Sequence, residues 1–261
     1  MNRAASPGAS LPTDGTKVPL YGGKSSRRRE FGTDRALARL AASQYGLVAL
    51  WQVERRLGLN VKVVDKRVAA GRLHRVHRGV YSVGHPLLSR KGHLMAAVLS
   101  CGSDAILSHR SAAFLHGILD DNRNRVDVIA PNRRGRAPKG IAAHRDGTLT
   151  STDKVVIDGI PCTSLARTLL DIAATQSAST LAFAVNQAEV EEVFDLTEVV
   201  ELLGRSKGRR GVARLRLAIE IHDPQEQEAR RELEKKLLRS SSGVASRRQR
   251  STAICSSTGS R

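Results

Sequence analysis

Three cations, Lys62, Lys66 and Arg67, fall at helical spacing, and Arg72, Arg75 and Arg78 follow at every third residue. Ammonium and guanidinium groups in such a row neutralise phosphates, and at groove depth they donate to O6 and N7 of guanine. The chemistry they suit is recognition of double-stranded DNA. Lys62, Lys66 and Arg67 would face the major groove, and Arg72, Arg75 and Arg78 would face backbone phosphate or the minor groove. Asn60, just ahead of them, has the type and place of a helix N-cap rather than a base reader.

The elements needed to hold these groups are written around them. Asp34 can cap a first helix with Leu37, Leu40 and Ala41 on one side, ended by Gly46. A second helix covers about Leu50 to Leu57, and Gly58-Leu59-Asn60 is a short turn. A third helix runs from Val61 to about Ala70, with Gly71 at its end. On it Val61, Val64 and Val68 form a narrow apolar seam, with Lys62 and Lys66 on the opposite side and Val63 and Arg67 beside them. Residues 72–83 read as two short strands around His77-Arg78-Gly79, where Gly79 supplies a positive φ. Two helices across a Gly-containing turn, then a basic hairpin, make a winged helix-turn-helix spanning residues 34–85.

An ordinary solvated basic face is the competing reading, and the distribution of charge weighs against it. The chain has 261 residues and a formal charge of +18. Residues 34–91 hold 12 Lys/Arg against 3 Asp/Glu, half of that excess, whereas residues 92–204 hold 10 against 14. A basic module followed by a near-neutral body points to a polyanionic partner. No apolar run is long enough for a membrane span, so no membrane partner is expected. Cys101, Cys162 and Cys255 are scattered and unpaired in spacing, which reads as reduced thiols in a cytoplasmic protein.

No reactive constellation stands out, so the chain reads as a non-enzyme with no cofactor and no metal. The histidines show no metal spacing, and His109 and His116 suit core or surface roles. Gly102-Ser103-Asp104 reads as a helix-ending turn. Ser108-His109 is not expected to form a dyad, since adjacent helical residues do not face one another. Asp127 has no Glu-x-Lys after it to complete a nuclease site.

The fold class read from these patterns is α+β: the winged helix-turn-helix, then a mixed α+β body with a helical C-terminal part, between disordered termini. Residues 1–33 are a basic tail, a solvated one, upstream sequence from a misplaced start codon, or an arm adding phosphate contacts. Residues 86–204 form the body. Helices are expected at 89–100, 108–115, 164–174, 179–192 and 196–203, and strands at 125–130, 141–144, 154–157 and 160–163. Asp158-Gly159 is the hairpin turn between the last two strands, and Pro131 to Lys139 is a basic loop. Residues 205–239 are a helical segment (211–222 and 224–239). Residues 240–261, Ser-rich and without acid, are a disordered or frame-shifted tail.

The stretch Ala70 to Tyr81 (AGRLHRVHRGVY) resembles the end of the winged-helix domain of AbiEi-type antitoxins, and Ala49 to Val53 and Gly58 to Asn60 fit the same pattern. Ser108 to Ala113 (SHRSAA) and Asp158 to Asp171 (DGIPCTSLARTLLD) are similar to the body of that family. The resemblance spans about Asp34 to Arg239. It implies an antitoxin of a type IV toxin–antitoxin system whose winged helix represses its own operon and whose body neutralises a nucleotidyltransferase-like toxin. Actinobacterial relatives often fuse this portion to a domain similar to very-short-patch-repair endonucleases. No acidic residue follows Glu234 here, so the alternative is a truncated remnant of such an endonuclease without a catalytic site.

Overall fold

A computed structural model describes residues 23–121, 125–132 and 135–221. Helix α1 (Gly23–Ala42) leads into strand β1 (Leu47–Ala49), then α2 (Leu50–Leu57), α3 (Val61–Ala69), β2 (Leu73–His77) and β3 (Val80–Val83). The strands form an antiparallel sheet in the order β1-β3-β2. Helices and sheet in this succession are compatible with a winged helix-turn-helix. Leu37, Val53, Val64, Leu73 and Tyr81 close its own small core.

Asp34 does not begin a helix, because α1 already starts at Gly23 inside the stretch expected to be a tail. The end of α1 is as expected: Gly46 takes φ +80° and its N–H donates to the carbonyl of Ala41. Gly58, at φ +63°, closes α2 and turns the chain into α3, whose cap is Asn60, accepting from the Val63 N–H at 3.1 Å. Strand β1 was not foreseen. Its three residues are fully buried and too few to show an alternation.

Helix α4 (Arg90–Cys101) crosses to the body, where β4 (Ile106–Leu107), β5 (Val126–Ile129), β6 (Ile141–His144), β7 (Lys154–Ile157) and β8 (Ile160–Thr163) form a mixed sheet ordered β6-β5-β4-β8-β7. Helix α5 (His109–Leu115) sits between β4 and β5 in sequence, and α6 (Leu165–Thr175), α7 (Ala178–Val190), α8 (Leu196–Arg205) and α9 (Val212–Ile221) follow the sheet. The expected hairpin forms between β7 and β8, with Asp158 and Gly159 both at positive φ. Gly102 ends α4 at φ +117°, as its sequence suggests. The helix expected over 224–239 and both chain ends lie outside the described residues.

Alternation along β5 divides the molecule into layers. Val126 and Val128 pack with α4 and with Leu47, Ala49 and Val80 of the first sheet, in one core shared by both parts. On the other side, Ala113 and Ile118 join α6 to α9 in a second core. The apolar interior therefore runs unbroken across residues 85 and 86. Cys101 and Cys162 are buried free thiols, and burial pushes Cys162 up to about 12, which keeps it protonated and inert. Among the described residues no helix is long and apolar enough to cross a membrane. None of their His, Cys, Asp and Glu side chains gather in a group of three or more able to hold a metal ion.

Candidate nucleic-acid interface

Helix α3 is fixed by its inner side. Val64 is buried and Val68 half-buried against the small core, while Lys62 and Lys66 are exposed on the outer face. The seam is shorter than the sequence suggests: Val61 is 44% exposed. It occupies the first turn, beyond the reach of α1 and α2, and lines a cleft instead.

Arg67 departs from its expected place. Its side chain is only 12% exposed, and Nε and Nη2 both donate to Oδ1 of Asp34, at 3.1 and 3.0 Å. A two-pronged guanidinium–carboxylate contact of this kind is among the stronger surface interactions. Arg67 therefore ties α3 to α1 and is not presented to solvent. Asp34, expected as a cap, is the hub of this contact. Its other oxygen accepts from Arg72 Nη1 at 3.2 Å, although Arg72 remains 65% exposed.

The hairpin carries the remaining cations. Arg75 is largely exposed, lies 3.8 Å from Asp65 of α3 and stands over the ring of Tyr81 at 5.8 Å. The Asp65 pair is long and solvated, so it contributes little and can yield to a phosphate. Arg78 is exposed at the turn, where Gly79 has φ +75°. His77 is held below its usual range by burial and by His93, so it adds little to the charge that Arg75 and Arg78 give the hairpin. Lys62, Lys66, Arg75 and Arg78 are thus outward cations, Arg72 is shared with Asp34, and Arg67 is internal.

Beside the hairpin opens a cleft of about 910 Å³ between the two parts of the molecule. Arg75 and Arg78 line one wall, and Asn132 and Arg136 of the loop after β5 line the other, with Trp51 and Glu54 between. The basic loop was visible in the sequence, but its position opposite the hairpin was not. That contact joins residues about sixty positions apart, and no local pattern encodes it.

Residues 104–221 match the family model of the AbiEi antitoxin C-terminal domain. The match covers the sheet and helices of the body and begins after α3 and the hairpin. A crystal structure of the RV2827C protein from Mycobacterium tuberculosis is similar at 16% identity and a TM-score of 0.45, covering 72% of this chain and 76% of that one. Comparison with curated proteins finds no match. The AbiEi-like body thus follows a basic region that the family model does not reach.

Proposed function

We propose that the chain is a DNA-binding, antitoxin-like transcriptional regulator. It represses its own operon through α3 and the β2–β3 hairpin, and its AbiEi-like body neutralises a nucleotidyltransferase-like toxin. The observation that carries the DNA reading is the outward set Lys62, Lys66, Arg75 and Arg78 around a helix anchored only by its opposite side. Lys62 and Lys66 lie in the groove, Arg72, Arg75 and Arg78 contact phosphate, and Arg67 acts indirectly by holding α3 against α1. The antitoxin reading rests on the match over 104–221.

A mobility-shift titration on DNA from upstream of the gene tests the first half. Binding should weaken linearly in log–log form with salt, and a K62A/K66A protein should lose about two units of that slope, roughly one per phosphate contact removed. An unchanged slope in a folded variant would sink the assignment. Co-expression with a neighbouring nucleotidyltransferase-like gene tests the second half: the AbiEi-like protein should restore growth, and failure to do so would remove the antitoxin role.

A further inference from the structure

On the face of the body sheet opposite α4, a hollow of about 250 Å³ opens between the ends of β5 and β6, the start of α5, helix α6 and the loop before α9. Asp127 and His144 reach this face because Val126 and Val128 turn to the other. The Nε2 atom of His144 lies 3.0 Å from Oδ1 of Asp127, and its ring stacks on His109 at 4.0 Å with 24° between planes. His109 holds φ +49°, unusual for a residue with a side chain, and its Nδ1 is 2.9 Å from the Ser108 hydroxyl. Ser108 and His109 therefore do meet, contrary to the sequence expectation. Ser108 is the extended residue ahead of α5, and the left-handed turn at His109 brings the ring back to it. Local strain of this kind costs about 1–3 kcal/mol and persists where surrounding structure enforces it.

The floor of the hollow is Arg167 and Asp171. Oδ1 of Asp171 accepts from Arg167 Nε at 2.9 Å, whereas Oδ2 is buried with no hydrogen-bond partner, on a side chain 6% exposed. A buried carboxylate oxygen lacking a donor is expensive, and a ligand N–H or O–H would satisfy it. At the rim stand Arg145 and Arg210, both exposed and without a hydrogen-bond or ion-pair partner among the described residues. Arg209 beside them is already held by Asp146 and Thr148. The lining holds more guanidinium than carboxylate, so an anion is favoured at the rim and a donor at the floor.

We propose that this hollow binds a mononucleotide. Its phosphate pairs with Arg145 and Arg210, its base continues the His109–His144 stack, and one of its N–H or O–H groups donates to Oδ2 of Asp171. The volume falls just below the roughly 300–1,000 Å³ usual for ligand pockets, which suits one small ligand partly open to solvent and not a polynucleotide. The site lies across the sheet from the α3–hairpin face and stands independently of the DNA reading.

Titration calorimetry on the full chain tests it with the four nucleoside 5′-monophosphates, inorganic phosphate and adenosine. At least one nucleotide should bind about tenfold or more tighter than either phosphate or adenosine. An R145A/R210A protein should bind that nucleotide at least about tenfold more weakly, with unchanged circular dichroism, because neither side chain supports the fold. No heat from any nucleotide at millimolar concentration overturns the proposal. So does phosphate binding as tightly as the nucleotides, or full affinity in R145A/R210A. Loss of DNA binding in K62A/K66A would leave all of these results as they are.

Discussion

Arg167 is the largest fully buried side chain among the described residues, 2% exposed, and it is surrounded by carboxylates. Asp171 and Asp146 pair with it directly and Asp153 lies 4.0 Å away, while Arg205 takes the other oxygen of Asp153 and Arg209 shares Oδ2 of Asp146 with Arg167. Removing one member of a buried network strands the charges left behind, so Arg167→Met should lower stability by about 3–5 kcal/mol in urea titration. A loss below about 1 kcal/mol would mean that water already screens the network. The two aspartates respond to pH in opposite senses. Burial raises Asp171 from 3.8 to about 6, outweighing the attraction of Arg167. The folded protein thus holds that proton more tightly than the unfolded chain, and this group makes stability fall as pH rises from about 4 to 6. Burial would also raise Asp146, but hydrogen bonds from Arg209, Thr148 and Arg167 overcome it and hold the carboxyl well below its ordinary range. Its contribution is present above that range and is lost as pH falls. Asp171→Asn should remove the first trend alone. The stability of the variant relative to the parent should then climb between pH 4 and 6, by something on the order of 1–3 kcal/mol. A parallel pair of curves would show that Asp171 does not titrate in that window. Little of this was legible in the sequence: arginine is so seldom buried that Arg167 gave no local sign of its role.

At the scale of elements, periodicity located most helices and strands to within a residue or two, because each exposes one face and buries the other. It failed at β1 and β4, of three and two residues, where no period can develop. It also failed at the start of α1, where polar composition hid a helix. The cations of α3 were legible by phase, except for Arg67, whose partner on α1 is 33 residues away. That pairing makes Asp65, not Asp34, the removable acid on the outer face. Asp65→Ala should tighten DNA binding severalfold without sequence preference and leave thermal stability nearly unchanged, since its contact with Arg75 is long and exposed. Weaker binding would point to a base contact by Asp65. Another element depends on a glycine that no pattern singled out. A Cβ at Gly211, where φ is +96°, would lie 2.7 Å from the N atom of Ala174 and 2.9 Å from the carbonyl oxygen of Leu170. Helix α9 therefore begins directly on the backbone of α6, which also brings Arg209 and Arg210 to the hollow. Gly211→Ala should destabilise the protein by about 2–4 kcal/mol in chemical unfolding, and a neutral result would show that α9 can shift without loss.

The whole molecule is more tightly joined than a DNA-binding unit linked to a body. Leu47, Ala49 and Val80 share one core with α4, Val126 and Val128. Polar contacts reinforce the junction: the Tyr45 hydroxyl donates to the Asp158 carbonyl at 2.7 Å, and the indole N–H of Trp51 donates to the Leu99 carbonyl at 3.2 Å. Charge bookkeeping along the sequence separates a basic part from a near-neutral one and is silent on this junction, because a change in charge can fall within a single packed unit. Trp51 is the sole tryptophan of the chain and sits at the seam, so its fluorescence reports on that seam alone. Far-UV circular dichroism, by contrast, reports mainly on the helices of the body. If the shared core makes the two parts one cooperative unit, the two signals should follow a single urea transition with the same midpoint and slope. Trp51→Phe, which removes the indole N–H and the five-membered ring that carries it, should lower the circular-dichroism midpoint by an amount equivalent to about 1–3 kcal/mol. An earlier fluorescence transition would mean that the basic part opens from the body before the body unfolds, leaving the AbiEi-like domain to stand alone.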